Sequence, residues 1–256
     1  MNLSTVIFDM GGTLEDVRYD TAVRRAALPR ILNMLARAGI ALPSDDDRVF
    51  NSIISGNLDY KAWSEKLEIE IPALEIWAAW NLREFDVDRV ALETIAEDLA
   101  FLWETTFFSR ALRPEAAPML EALKTRNYRL GVISNTSSRT QVFWTLKEYG
   151  IADYFEQVTL SSIEGFRKPA RAIFNSALKK MNVAPDSAAY VGDTLSRDVI
   201  GAKRAGYALA IQIQSFLTPL SDSKLGSSAE KPDYRIEKLS DIPGILDRVR
   251  AGRTMR

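Results

Sequence analysis

The chain has 256 residues, and neither cysteine nor histidine is among them. Without cysteine there is no disulfide, no thiolate nucleophile and no cysteine-ligated zinc. Without histidine there is no Ser-His-Asp triad, no imidazole base and no histidine metal site. Chemistry on this chain must run on carboxylates, lysines, hydroxyls and oxygen-bound metal. An excess of one charge is missing too: 33 Lys and Arg stand against 34 Asp and Glu, with no basic block. The electrostatic footprint of a nucleic-acid binder is therefore absent. No apolar run approaches bilayer length and the N-terminus leads directly into a strand, so no membrane partner and a cytoplasmic location are expected. What is present is ordinary for a soluble globular chain, 46% apolar and 26% charged residues. The length suits one large domain or two modest ones.

The first segment, Ser4 to Phe8, reads as a buried strand that ends in Asp9, after which Gly11, Gly12 and Thr13 turn the chain. From about Asp20 to Phe108 the periodicity is helical. Leu28, Ile31, Leu32 and Leu35 form one stripe, with Pro29 bending that helix. Leu92, Ile95, Leu99, Leu102 and Trp103 form another. Shorter helices between Ser44 and Asn81 are expected to start at Ser44 and Asp59. Trp63, Trp77, Trp80 and Trp103 all fall in this block and are expected to fill its core.

After Pro114, helical stretches alternate with short β-branched runs. Strands are expected at Tyr128–Ser134, Val158–Leu160, Ala188–Val191 and Ala208–Ile213, with helices between them. Residues Gln214 to Pro232 read as a long surface loop. This alternation predicts an α/β fold, a doubly wound parallel sheet interrupted by a helical insert. The core would comprise residues 1–17 and 112–256, and the insert residues 18–111. An insert placed after the first strand lies over the carboxyl end of the sheet, where open α/β sheets bind ligands.

Four stretches share that end: DMGGTL with Asp9, LGVISNTSS with Ser134 and Asn135, GFRKPARAIF with Lys168, and YVGDTLSRDVIGAKRAG with Asp193 and Asp198. The turn D-x-G-G-T alone also fits the phosphate loop of actin-like sugar kinases. Here, however, it runs into helix rather than into further hairpin strands. In order and with their local structure, the four stretches resemble the haloacid dehalogenase-like hydrolase superfamily over nearly the full chain, in its phosphatase-type form with an inserted helical cap. The resemblance implies a small phosphorylated substrate and a magnesium ion, with Asp9 as nucleophile and Lys168 as electrostatic clamp. It further implies that Ser134 and Asn135 hold the phosphoryl group, and that Asp9, the Gly11 carbonyl and Asp193 ligate magnesium with Asp198 behind them. A carboxylate attacking a phosphate dianion meets like-charge repulsion of about 4 kcal/mol at ~4 Å and an effective dielectric of ~20. The metal and Lys168 would offset it.

One position departs from the pattern. Family phosphatases carry a second aspartate two residues after the nucleophile, as general acid-base, where this chain has Gly11. The loss corresponds to about 3 to 5 kcal/mol of barrier, from a typical ~10²- to 10⁴-fold contribution. Glu15 or Asp16 as substitutes, or a substrate with a good leaving group, are the ways round it. The phosphonate-cleaving branch, with Lys61 as its amine, and the metal-free dehalogenase branch are weaker matches. The rival class is a chain that binds a phosphorylated ligand or a partner and turns nothing over.

Overall fold

The computed structural model describes residues 2–223, 225 and 230–252. The chain runs through strands β1 (Thr5–Phe8) and β2 (Glu15–Arg18), then helices α1 (Thr21–Arg37), α2 (Asp46–Leu67), α3 (Ala73–Ile76) and α4 (Arg89–Thr106), and strand β3 (Ser109–Leu112). There follow α5 (Ala116–Lys124), β4 (Arg129–Ser134), α6 (Gln141–Glu148), β5 (Gln157–Leu160), α7 (Ser161–Glu164) and α8 (Arg171–Met181). The last elements are β6 (Ala188–Gly192), α9 (Ile200–Arg204), β7 (Leu209–Ile213), α10 (Leu217–Asp222), β8 (Tyr234–Ile236) and α11 (Ile242–Arg250).

Six strands form one sheet in the order β5-β4-β1-β6-β7-β8, and every neighbouring pair is parallel. Both faces are covered, which is why the strands read as continuous apolar runs rather than alternating ones. Val6 and Phe8 of β1 join Val132, Val191 and Ile211 in the apolar layer on one face. Ile7 points the other way, into a layer with Ile133, Phe174 and Tyr190. The chain builds outward from β1 to β4 and β5, then returns to pair β6 on the opposite side of β1. The strand order therefore reverses between β1 and β6, and Asp9 and Asp193 directly follow these two strands. A crevice opens beyond the strand ends at such a reversal.

The helical stretch leaves the sheet through β2 and returns through β3, and these two strands pair antiparallel from Glu15↔Leu112 to Arg18↔Ser109. Between them α1 to α4 enclose an apolar centre of their own, including Leu28, Ile31, Ile53, Leu99 and Trp103. Asp20 caps α1 by accepting the Val23 N–H at 2.8 Å, and the helix continues through Pro29. In place of several short helices, α2 is a single helix of 22 residues. Its cap is Asp45, next to the expected Ser44, with Asp46 and Asp47 in the first turn where the helix dipole favours acids. Asp59 is not a cap: it lies mid-helix and pairs with Arg83 at 2.7 Å. Trp77 and Trp103 are core residues as expected, whereas Trp63 and Trp80 are half-buried and gather with Tyr60 in a cluster of rings.

The expected loop from Gln214 to Pro232 contains a helix, α10, whose Leu217 and Leu220 line the crevice. Lys224 and residues 226–229 of that expectation lie outside the described residues. Carboxylates of the helical segment hold it to the sheet. The Glu97 carboxylate accepts from the Arg139 N–H (2.9 Å) and from the Ser138 and Thr140 hydroxyls (2.7 and 2.8 Å). Glu104 accepts from the Ser137 N–H and hydroxyl, and Glu70 pairs with Arg167 at 2.6 Å. Among the described residues, no helix is long and apolar enough to cross a membrane.

Candidate active site

Asp9 sits where β1 ends, fixed by its own N–H donating to Val191 O at 2.8 Å across the strand reversal. One carboxylate oxygen accepts from Lys168 Nζ at 2.5 Å and the other from Thr13 Oγ1 at 3.1 Å. Lys168 is fully buried. Its ammonium also donates to Asp198 Oδ1 at 2.7 Å and to the Tyr190 hydroxyl at 3.1 Å, so all three of its donors are in use. Burial alone would lower the Lys168 pKa, but attraction to Asp198 and Asp9 outweighs it and keeps the ammonium charged. With its donors engaged, Lys168 can act on a bound anion only through its charge and by fixing the Asp9 carboxylate.

Asp198 lies in a π-helical turn, Leu195–Val199, that follows Asp193. Its second oxygen accepts from the Thr194 N–H (3.0 Å) and hydroxyl (2.6 Å), and its first also accepts from Tyr190 at 3.2 Å. Burial raises this carboxyl, but Lys168 and then Arg197 pull it below its ordinary value. With both oxygens occupied by donors, Asp198 is a charge behind the site rather than an open ligand. Asp193 is the opposite case. Its Oδ2 accepts from Ser215 Oγ at 2.5 Å, while its buried Oδ1 has no hydrogen-bond partner among the described residues. Burial, reinforced by Asp9 and Asp198, holds the Asp193 carboxyl well above the usual range. Burial also raises Asp9, against the pull of Lys168.

Oxygens of Asp9, Asp193 and Asp198 all lie within 4.8 Å of one another. An orphaned carboxylate oxygen in a buried cluster of acids is the donor set a hard cation takes, so the residues fit magnesium. Gly12 allows this close approach. It has φ +92°, and a Cβ there would stand 2.3 Å from Asp193 Oδ2.

Ser134 ends β4 and Asn135 follows it, and both line the same cavity, about 180 Å³ in volume. The Asn135 side chain does not face it as a free donor. It bonds reciprocally with the Lys168 main chain, accepting from the Lys168 N–H at 2.9 Å and donating to its carbonyl at 3.2 Å. That clamp positions Lys168. At Gly11 a Cβ would meet nothing closer than 3.5 Å, its nearest neighbours being Arg110 Nη1 and Val17.

Neither proposed substitute for the missing acid reaches the cavity. Glu15 is buried behind Arg110, one oxygen paired with that guanidinium and the other accepting from the Tyr149 hydroxyl at 2.8 Å. Asp16 is half exposed and pairs with Arg113 at 3.3 Å. Lys61 lines the cavity from α2. Sequence reasoning missed Thr13, Tyr190, Thr194, Arg197 and Ser215. The first four lie inside the quoted motifs, but nothing in the spacing shows which side chains turn inward.

A family model described as haloacid dehalogenase-like hydrolase matches residues 3–206. The chain belongs to the haloacid dehalogenase-like hydrolases. A glyceraldehyde 3-phosphate phosphatase of Methanothermobacter thermautotrophicus is 40% identical over 106 residues, 41% of this chain and 46% of that relative, so the match spans less than half of its length. A phosphoserine phosphatase of Thermus thermophilus is 34% identical over 179 residues, 67% of this chain and 68% of that protein. Among solved structures, a 2-haloacid dehalogenase from Pseudomonas syringae superposes with a TM-score of 0.64 at 24% identity, covering 96% of this chain and 99% of that one. That likeness shows a shared haloacid dehalogenase-like fold.

Proposed function

We propose that the chain is a magnesium-dependent phosphatase of a small phosphorylated metabolite, with residues 18–111 as its cap and Asp9 as its nucleophile. The observation that carries this reading is the orphaned Asp193 oxygen, buried beside Asp9 at the strand reversal, with Lys168 spanning Asp9 and Asp198. Asp9, Asp193 and the Gly11 carbonyl would hold the metal, which supplies positive charge against the phosphoryl oxygens. Relatives named as phosphatases support the same class.

In the first step an Asp9 oxygen forms a bond to phosphorus while the bond to the leaving oxygen breaks, giving an aspartyl-phosphate. Water then attacks phosphorus, returning the Asp9 carboxylate and releasing phosphate. Lys168 favours the ionised form of Asp9 against its burial and aims it, and Ser134 lies beside the transferred group as a donor. Gly11 has no side chain to supply a proton to the departing oxygen, and the nearest side chains to that place are Arg110 and Val17. Turnover is therefore best for leaving groups that depart as stable anions, such as acyl or aryl phosphates.

The test compares phosphate release from acetyl phosphate, p-nitrophenyl phosphate and propyl phosphate, with and without magnesium. Turnover should need magnesium and fall in that order. Asp9→Asn should abolish it, and Gly11→Asp, which the free space admits, should raise the propyl ester about 10²-fold. Full activity of Asp9→Asn would end this reading. The second reading, a chain that keeps the phosphate site without turning over, is favoured by the glycine at position 11. It predicts magnesium-dependent phosphate binding and no release from any of the three esters.

A further inference from the structure

Among the described residues, six cations line the cavity above Asp9, and they differ in what each is paired with. Of the cations lining the cavity, Lys168 is matched by Asp9 and Asp198, Arg110 by Glu15 and Glu104, and Arg167 by Glu70. Arg197 makes no close ion pair among the described residues but feels the attraction of Asp193, Asp198 and Asp9, and its Nε donates to Thr194 Oγ1 at 3.4 Å; Arg24 has no such match. No carboxylate among the described residues lies within ion-pair distance of it, and its Nε is buried without a hydrogen-bond partner. A desolvated guanidinium left without an anion is costly unless a ligand supplies one.

Arg24 is also built to stay in place. Its guanidinium lies 4.0 Å from the centroid of Tyr19, 5.5 Å from Phe108 and 5.9 Å from Trp103. Aromatic faces hold the plane of the group while leaving its N–H edge to an in-plane acceptor. Lys61 lines the same wall, and its nearest acid is Glu65 at 3.9 Å. Its side chain is nearly half exposed, and partial desolvation, then repulsion from Arg197, Arg167 and Arg24, lowers the pKa of its ammonium.

We infer that the cavity has a second anion subsite centred on Arg24 and assisted by Lys61, and that the substrate is a short phosphorylated compound with another anionic group, a carboxylate or a second phosphate, at its far end. The inference rests on the phosphoryl site proposed above. The volume of about 180 Å³ limits the spacer to a few atoms.

Non-hydrolysable phosphonates test it on the full chain with magnesium, by calorimetric titration. Butylphosphonate, 5-phosphonopentanoate and butane-1,4-diyl bisphosphonate share a four-carbon chain on phosphorus and differ at its far end. At least one of the two doubly anionic ligands should bind at least tenfold tighter than butylphosphonate, equivalent to about 1.4 kcal/mol. The tighter of the two identifies the anion. Arg24→Gln should collapse that ratio, and Arg24→Lys should retain part of it. Equal affinities for all three ligands in the unmodified chain would overturn the subsite. So would an Arg24→Gln variant that weakens all three equally, the mark of a merely structural arginine. A preserved preference with no turnover of any phosphate ester would refute the hydrolytic reading while upholding the subsite.

Discussion

Replacing Lys168 by methionine removes one charge and leaves the surrounding shape nearly intact. The lost ammonium bonds Asp9 at 2.5 Å, Asp198 at 2.7 Å and Tyr190 at 3.1 Å, and its side chain is only 2% exposed. Breaking a buried ion pair by deleting one partner costs about 3–5 kcal/mol, because the other charge stays buried and uncompensated. Against a total stability of about 5–15 kcal/mol that is a large fraction. At roughly 2–4 °C per kcal/mol for a chain of this size, Tm should fall by about 6–20 °C.

The pH dependence has a definite sign. In the unmodified chain Lys168 is raised and Asp198 is lowered, so their contribution persists between the two ordinary values. It is lost only as the pH falls through the folded Asp198 value, below about 4, or rises through the folded Lys168 value, above about 10.4. In Lys168→Met the acids lose the charge that held them down, and burial raises their folded pKa above the unfolded one. Stability then falls as pH rises through that raised value. The Tm gap between the two proteins should therefore widen from pH 5 to pH 8. Melting by circular dichroism without magnesium measures both numbers. A Lys168→Met protein within 2 °C of the unmodified chain, or a gap that narrows with rising pH, would refute the reasoning.

Two further outcomes follow from the same geometry. Without magnesium, Asp193→Asn should melt higher than the unmodified chain, since burial, with Asp9 and Asp198 close by, penalises a charge that the amide does not carry. Magnesium should raise the Tm of the unmodified chain, and the same variant should lose that rise. Glu97→Ala removes the acceptor of the Arg139 N–H and of the Ser138 and Thr140 hydroxyls. It should cost about 1–2 kcal/mol, because water reaches part of that loop, and hydrogen exchange at Arg139 should accelerate.

The sheet was legible because its strands are buried on both faces, which leaves unbroken apolar runs such as Thr5–Phe8 and Leu130–Ile133. Each functional residue expected at a strand end also lies at the cavity or directly behind it. The bonding among them was not legible. Lys168 and Asp9 are separated by 159 positions, and no periodicity records that their atoms meet. Asn135 has the composition of a phosphate donor, yet its side-chain amide is used up on a neighbouring main chain. Asp59 has the chemistry of a cap and sits mid-helix, because propensity is a weak prior beside an apolar face that continues through Tyr60 and Ser64. The sequence LTPLSD of α10 is short and polar, and only its packing against the crevice makes it a helix.

The pairing of β2 with β3 bears on how the chain folds. Those strands enclose about ninety residues, yet they meet in register like the arms of a hairpin. For an unstructured chain, closing a loop of that length rather than a four-residue turn costs about 3 kcal/mol more, at roughly 0.6 kcal/mol per doubling. A segment that first condenses around Leu28, Ile53 and Leu99 brings its two ends together in advance and removes most of that penalty. The early-forming helices would then present β2 and β3 as a ready pair. The late contacts would be those that carry Lys168 and Asp193 to Asp9, so the reactive centre would be the last part of the molecule to assemble.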